Sequence, residues 1–341
     1  MLTNELPLIP GTTITTRDDV KKAYGGGERG GIVPAKDSRR VFIYSDLKAG
    51  EEHGYTFDGR AEDDEFGQLY LYTGAGPRGH QTLPGVNQAL LFHVQQKRTA
   101  HLFVADGYKP SGAAWQRYIG QVMVDQAQPY EERWNLGADG KLRRVFVFRL
   151  RPAPGTELAF LPKDAIAPAM TTDVITVTPI PQQPVPLLLP PRVPSGGLVD
   201  TETHGTDTTT ANVSGGPRTV TRREGILTTA FEAFLAEHEH TVKRFQLVVE
   251  GESGALLTDT YDLTDNVLYE AKGRSRRNDI RMAVGQLMDY RRHAQEHAPA
   301  GLRLAILLPG DPGKDLRDLI ESTGIALVFQ DGEGFTGFPL P

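Results

Sequence analysis

Asp259, Glu270 and Lys272 are the residues whose types and spacing best suit hydrolytic chemistry. They lie in two strand-like runs, Leu256-Leu257-Thr258-Asp259-Thr260-Tyr261 and Val267-Leu268-Tyr269-Glu270-Ala271-Lys272. Thr264-Asp265 between the runs is turn-forming, so the segment predicts a hairpin. If Leu263 pairs with Asn266, the antiparallel register sets Tyr261 across from Leu268 and Asp259 across from Glu270. Two directly opposed carboxylates repel, which a purely structural hairpin avoids and a bridging divalent cation relieves. Lys272 is two residues past Glu270 and shares its face. Mg²⁺, with Mn²⁺ able to substitute, suits the oxygen ligands of Asp259, Glu270 and the Ala271 carbonyl, and it polarises water towards a phosphodiester. Lys272 could orient or deprotonate that water, or offset charge on the phosphate.

The surrounding elements predict an α/β unit. Residues 222–238 have a helical apolar face built from Ile226, Leu227, Ala230, Phe231, Phe234 and Leu235. Strands follow at 245–249, 256–261 and 267–271, then a helix at 279–293 that sets Gln286 and Tyr290 one turn apart on one face. A buried-type strand at 302–308, a helix at 314–322 and a strand at 325–329 complete a mixed sheet flanked by helices. His238 and His240 are two apart and share no helical face, which points to a solvated helix end.

The rest of the chain reads differently. Residues 40–151 alternate short aromatic strands with Gly, Pro and Asp turns, and a helix fits 87–96, so a β-rich barrel or sandwich is expected. Pro, Thr, Val and Gly dominate 162–219, which reads as a linker with an apolar piece at 185–189. The expected division is 1–161, a linker over 162–219, and 220–341. At 341 residues, two cores are the natural expectation. With no cysteine, disulfides and thiolate zinc sites are excluded. The absence of a long apolar run or a leader-like N-terminus leads us to expect a cytoplasmic protein with no membrane partner. The net charge of −6 argues against a uniformly basic DNA coat. Local basic patches remain, one from Lys141 to Arg144 with Arg149 and Arg151, the other around Arg274, Arg276, Arg277 and Arg281. Arg276, Arg277 and Arg281 are candidate phosphate contacts. No Walker A sequence occurs, and no nucleotide cofactor is expected. The Gly74-x-Gly76-x-x-Gly79 loop holds Pro77 and has no acid about 20 residues on, so it is no dinucleotide site.

Residues 222–338 resemble the PD-(D/E)XK nucleases, and Gln286-Leu287-Met288-Asp289-Tyr290 is similar to the Q-x-x-x-Y signature of their RecB-like branch. The resemblance implies a restriction-endonuclease-like fold with catalytic residues Asp259, Glu270, Lys272, Gln286 and Tyr290. An acid of the first helix would join the metal shell, Glu224 or alternatively Glu232. Tyr72-Thr73-Gly74 with Gly76, Gly79-His80-Gln81 and Asn87-Gln88-Ala89-Leu90 resembles the SRA (YDG) domain, a curved β-barrel that flips a modified cytosine out of DNA. Flipping implies aromatic faces and polar edge contacts. Tyr72 and Tyr44 would stack on the base, and Asp46 and His80 would supply polar contacts, although the family commonly carries Asp where His80 stands. Together the resemblances imply a modification-dependent (type IV) restriction endonuclease. It would read 5-methyl- or 5-hydroxymethylcytosine in double-stranded DNA and act as a homodimer. The alternatives are a repair or recombination nuclease that recognises DNA structure, or a modified-DNA reader with an inert nuclease domain.

Overall fold

The computed structural model describes residues 6–51, 55–64, 66–126, 128–179 and 217–340. Most of the expected linker, including the apolar piece at 185–189, lies outside them. Two mixed β-sheets with few helices make up the described fold.

The first sheet takes β1 (Ile14–Thr15), β2 (Ile32–Ala35), β3 (Arg40–Ser45), β4 (Gly59–Arg60), β5 (Tyr70–Thr73), β6 (Thr99–Tyr108), β7 (Ala114–Val124), β8 (Tyr130–Leu136) and β9 (Leu142–Pro152). Its path is β2-β3-β6-β7-β9-β5-β4, with β1 on β7 and β8 on β9. β3 and β6 are parallel and the other pairings antiparallel. Helices α1 (Arg17–Tyr24), α2 (Leu47–Glu51) and α3 (Val86–Leu91) accompany it. Alternation along β3 decides which side chain faces which core. Val41 and Ile43 join a cluster with Leu90, Leu102 and Phe148, whereas Phe42 and Tyr44 join Val20, Phe103 and Tyr118 on the other face.

The second sheet begins earlier than the linker expectation. After a 3₁₀ turn at Pro162–Asp164, β10 (Asp173–Val177) pairs with β11 (Val242–Val248). Its Val174 and Val177 are buried, which a solvated linker strand does not require. Next come α4 (Pro217–Glu237), β11, β12 (Leu256–Leu257), β13 (Thr260–Asp262), β14 (Val267–Ala271), α5 (Arg277–Ala294), β15 (Arg303–Leu308), α6 (Lys314–Ser322), β16 (Ala326–Asp331) and β17 (Gly334–Thr336). β14, β15 and β16 are parallel neighbours, and β13 runs antiparallel to β14. Val267, Tyr269 and Ala271 face α4, which buries Leu227, Phe231 and Leu235 at four-residue spacing. Each such side chain contributes about 1.5–3 kcal/mol by leaving water. Leu268 points the other way, towards Ile280, Ala283, Leu287 and Tyr290 of α5. Glu270 follows Leu268 by two residues and so shares the α5 face.

Candidate nuclease site and modified-base reader

The β13–β14 hairpin adopts the register expected from its turn. Thr260 pairs with Tyr269, Tyr261 with Leu268 and Asp262 with Val267. Asp259 lies just beyond the last pair, in the break between β12 and β13. Its Oδ2 accepts the Ala271 N–H at 2.8 Å, which holds it against the end of β14. Lys272 Nζ donates to Glu270 Oε1 at 2.6 Å, and both side chains are buried. Glu224 of α4 accepts the Gly273 N–H at 3.2 Å, and Glu232 instead accepts from Arg244 (2.8 Å) and Thr260 Oγ1 (3.2 Å). Glu224 is therefore the α4 acid beside Lys272. From α5, Gln286 Nε2 points at the Tyr290 hydroxyl at 3.5 Å, and Gln286 Oε1 is buried without a partner.

Burial and mutual repulsion shape the electrostatics. Burial, then the Asp259 charge, pushes Glu270 up to about 8, with Lys272 opposing. Desolvation also raises Asp259 and Glu224, and Lys272 is the main opposing charge for both. Burial alone would lower the Lys272 ammonium, but Glu270, Asp259 and Glu224 hold it above its usual range. Burial and the nearby Glu270 raise the Tyr290 phenol. Three carboxylates thus surround one ammonium. That donor set fits a divalent cation, because hard oxygen ligands with excess negative charge are what Mg²⁺ selects. Among the described residues, the group of three possible ligands within 4.8 Å of one another lies elsewhere, at His240, Asp262 and Asp265. There Asp262 accepts from the Thr264 and Asp265 N–H groups of the hairpin turn and contacts His240 Nδ1, 22 residues earlier in the chain, at 2.7 Å.

Arg276, Arg277 and Arg281 are exposed at the start of α5, and Arg277 pairs with Asp315. The other basic stretch is not a solvated surface. Arg143 is 1% exposed and donates to the Gly76 carbonyl at 2.5 Å. Arg144, Arg149 and Arg151 pair with Glu132, Glu131, Asp64 and Asp125. Strand alternation turns these side chains onto acids that their spacing in sequence does not reveal.

The glycine loop after β5 is tied down by two buried amides. Asn87 receives the Ala75 N–H and donates to Ala75 O and Thr82 O, while Gln81 receives the Phe146 N–H and donates to Gly74 O. A Cβ on Gly74 would stand 3.0 Å from both amide oxygens, so the backbone can approach only without a side chain. α3 starts at Val86, outside the glycines. Tyr72 and Tyr44 touch, the Tyr72 hydroxyl lying 3.4 Å from the Tyr44 carbonyl, but both rings are buried. Tyr44 stacks on Phe103 with Arg17 over its ring, so it packs as core in this conformation. Asp46 accepts from Tyr108 at 2.7 Å, and His80 meets the Trp134 ring edge-on and accepts the Arg144 N–H. Of the four residues expected to share a pocket, Tyr44 and Tyr72 are neighbours, whereas Asp46 and His80 make their contacts with Tyr108, Arg144 and Trp134. Sequence reasoning passed over Asp58, whose carboxylate accepts the Thr73 N–H at 2.6 Å and the Ser45 hydroxyl at 3.3 Å and is pushed by burial to about 7. It links the ends of β3 and β5 beside Tyr72. In the sequence it stands 14 residues before Tyr72, so no local spacing marks it.

Residues 10–173 match the family model described as "ScoMcrA-like, SRA domain". The N-terminal half carries an SRA domain. Among solved structures, "Sulfur binding domain and SRA domain of ScoMcrA complexed with phosphorothioated DNA" is 28% identical over 46% of this chain and 44% of that one, with a TM-score of 0.34. "Structure of the Type IV phosphorothioation-dependent restriction endonuclease ScoMcrA" is 30% identical over 45% of this chain and 28% of that one, with a TM-score of 0.33. The SUVH5 SRA domain with fully methylated CG DNA is 20% identical over 47% of this chain and 99% of that one, with a TM-score of 0.31. The chain thus spans less than half the length of either ScoMcrA structure. No curated protein matches. Among the described residues, no helix is long and apolar enough to cross a membrane.

Proposed function

We propose that this chain is a modification-dependent DNA endonuclease of type IV, in which the SRA domain reads a modified cytosine and the second sheet hydrolyses the phosphodiester. The observation that carries the reading is the gathering of Asp259, Glu270 and Lys272 with Glu224 at one end of a mixed sheet. The order α4, four strands, α5 and β15, with Gln286 and Tyr290 on the helix that faces Glu270, supports a PD-(D/E)XK fold. The reading divides the chain into a reader over 1–161 with a curved barrel, a linker over 162–219, and a nuclease over 220–341. β10 packs on the nuclease sheet in spite of its place in the linker stretch.

Asp259, Glu270 and the Ala271 carbonyl would hold Mg²⁺ or Mn²⁺, with Glu224 completing the shell. The bound ion supplies Lewis acidity and a water acidic enough to attack near neutral pH. Lys272 keeps its proton at Nζ and places positive charge where the phosphate gains negative charge. Gln286 and Tyr290 hold the Glu270 side of the site, and Arg276, Arg277 and Arg281 would meet backbone phosphates. In the reader, the acid beside Tyr72 and Thr73 is Asp58, which adds a polar edge contact to the set Tyr44, Asp46, Tyr72 and His80. Cutting both strands with one site per chain favours a homodimer.

Matched plasmids test this reading: unmodified, carrying 5-methylcytosine, or carrying 5-hydroxymethylcytosine, each with Mg²⁺ and with EDTA. The expected result is metal-dependent cutting of a modified plasmid only. Equal cutting of all three would keep the nuclease and replace the modified-base reader with recognition of DNA structure. Tight binding of a modified plasmid without cutting would leave a reader with an inert nuclease domain.

A further inference from the structure

The two sheets meet through a narrow contact with unusual chemistry. β8 pairs with β9 on one side only. On its other edge Trp134 donates its N–H to Gln246 Oε1 at 2.6 Å and accepts from Gln246 Nε2 at 2.7 Å. A buried glutamine of β11 thus stands in for a neighbouring strand. Val248, two residues on, packs with Phe57, Val145, Val147 and Ala255 from both sheets. Beside this seam the sheets part around a cavity of about 680 Å³, lined by Leu71 and Arg149 on one side and Leu247 and Val249 on the other. A contact made of one hydrogen-bonded glutamine and a small apolar cluster leaves relative movement of two domains as the expectation.

Arg244, two residues before Gln246, shares its face of β11. It donates to Glu232 at 2.8 Å, and the same Glu232 oxygen accepts from Thr260, the residue after Asp259. Across the seam Arg244 acts electrostatically on Glu132 of β8, which also sits 3.6 Å from Arg144. Arg144 in turn donates its N–H to His80, whose ring rests against Trp134. The Nε groups of both Arg144 and Arg244 are buried without a hydrogen-bond partner. Buried unmatched donors need a reason. Both guanidinium groups act electrostatically on one carboxylate, Glu132.

We propose that Arg244 is a positioning residue that couples the SRA domain to the nuclease hairpin. The edge of β8, gripped by Gln246, sets where Arg244 lies, and Arg244 sets Asp259 through Glu232 and Thr260. The coupling rests on the function proposed above. Movement of the His80 loop when the reader engages DNA would shift Trp134 and Glu132, and so change which partner Arg244 holds.

The test is plasmid cleavage by the full chain with 5-methylcytosine plasmid and Mg²⁺, separating kcat from KM. Arg244→Ala is expected to lower kcat about tenfold or more with KM changed less than twofold, and Arg244→Lys to recover part of it. Glu132→Gln lies in the other domain and nearly conserves volume. It should lower kcat severalfold, and the double variant should be no slower than Arg244→Ala alone, because contacting residues do not act additively. If Arg244→Ala melts below the assay temperature, Arg244→Lys and Glu132→Gln carry the test. Wild-type kcat in Glu132→Gln, or a double variant as slow as the product of the singles, overturns the coupling alone, provided that wild type cuts and Lys272→Ala does not. A wild type that cuts no plasmid, or an active Lys272→Ala, removes the nuclease reading and the coupling with it.

Discussion

Two clusters of charge, one in each sheet, are built on opposite plans. In the SRA domain Arg133, Arg144, Arg149 and Arg151 stand against Asp64, Asp125, Glu131 and Glu132, four cations to four anions. At the hairpin of the second sheet Glu224, Asp259 and Glu270 share the single ammonium of Lys272. Buried charges are tolerated when they are paired and hydrogen-bonded. The first cluster meets that condition within the chain at Arg149 and Arg151, whose pairs tie β8, β9 and the loop around Asp64 together. The second does not, and its acids are pushed up by burial and by one another. Perturbed, unbalanced groups of this kind mark sites that act on something from outside. What separates scaffold from site here is not how many charged residues cluster but whether they cancel.

Removing the lone cation is the sharpest way to probe that contrast. Lys272→Ala is expected to slow plasmid cleavage by roughly a thousandfold or more, since it deletes the positive charge at the reacting phosphate. Its far-ultraviolet circular dichroism should stay that of wild type. Cleavage within a few-fold of wild type would show that the imbalance is not catalytic. The balanced cluster should answer differently. Arg151→Ala leaves Asp64 and Asp125 short of a partner and should destabilise the fold by about 3–5 kcal/mol in urea denaturation. A loss below about 1 kcal/mol would mean that this network is surface decoration.

The smallest effect concerns pH. Glu270 has a folded value near 8 against an ordinary value of 4.5, so it keeps its proton longer when folded than when unfolded. Its contribution to stability is fully present below about 4.5 and is lost as pH rises through 8. Without divalent metal, wild type should therefore lose stability relative to Glu270→Gln between those values. Added Mg²⁺ should reduce the loss, because it favours the ionised form. Parallel curves for the two proteins, measured as melting temperature from pH 5 to 9 in EDTA, would contradict the placement of Glu270 in an acidic cluster.

Much of the second sheet was legible because its signals are local. Val267–Ala271 and Lys314–Ser322 have the bounds read from the sequence, and the hairpin register follows from the turn at Thr264-Asp265. β10 was not legible, since a five-residue strand in a Pro- and Thr-rich stretch is fixed only by its partner β11. The glycine loop carried the letters of a dinucleotide motif that Pro77 already ruled out, and Gln81 and Asn87 hold its backbone instead. The stretch at 141–151 read as a local basic patch, but Arg149 and Arg151 pair with Asp64, some 85 residues away.

By itself the sequence determined the hairpin segment that carries Asp259, Glu270 and Lys272, its register, and the helix that follows, because period-two and period-3.6 patterns need no distant partner. Tertiary structure decided which α4 acid joins that site, placing Glu224 on Gly273 and Glu232 on Arg244. It also decided that Gln246 closes the edge of β8 and that Asp58 sits beside Tyr72 and Thr73. These contacts span 12 to 112 residues. Hydrogen-bond satisfaction in a shared core selects them, and no spacing along the chain encodes that selection.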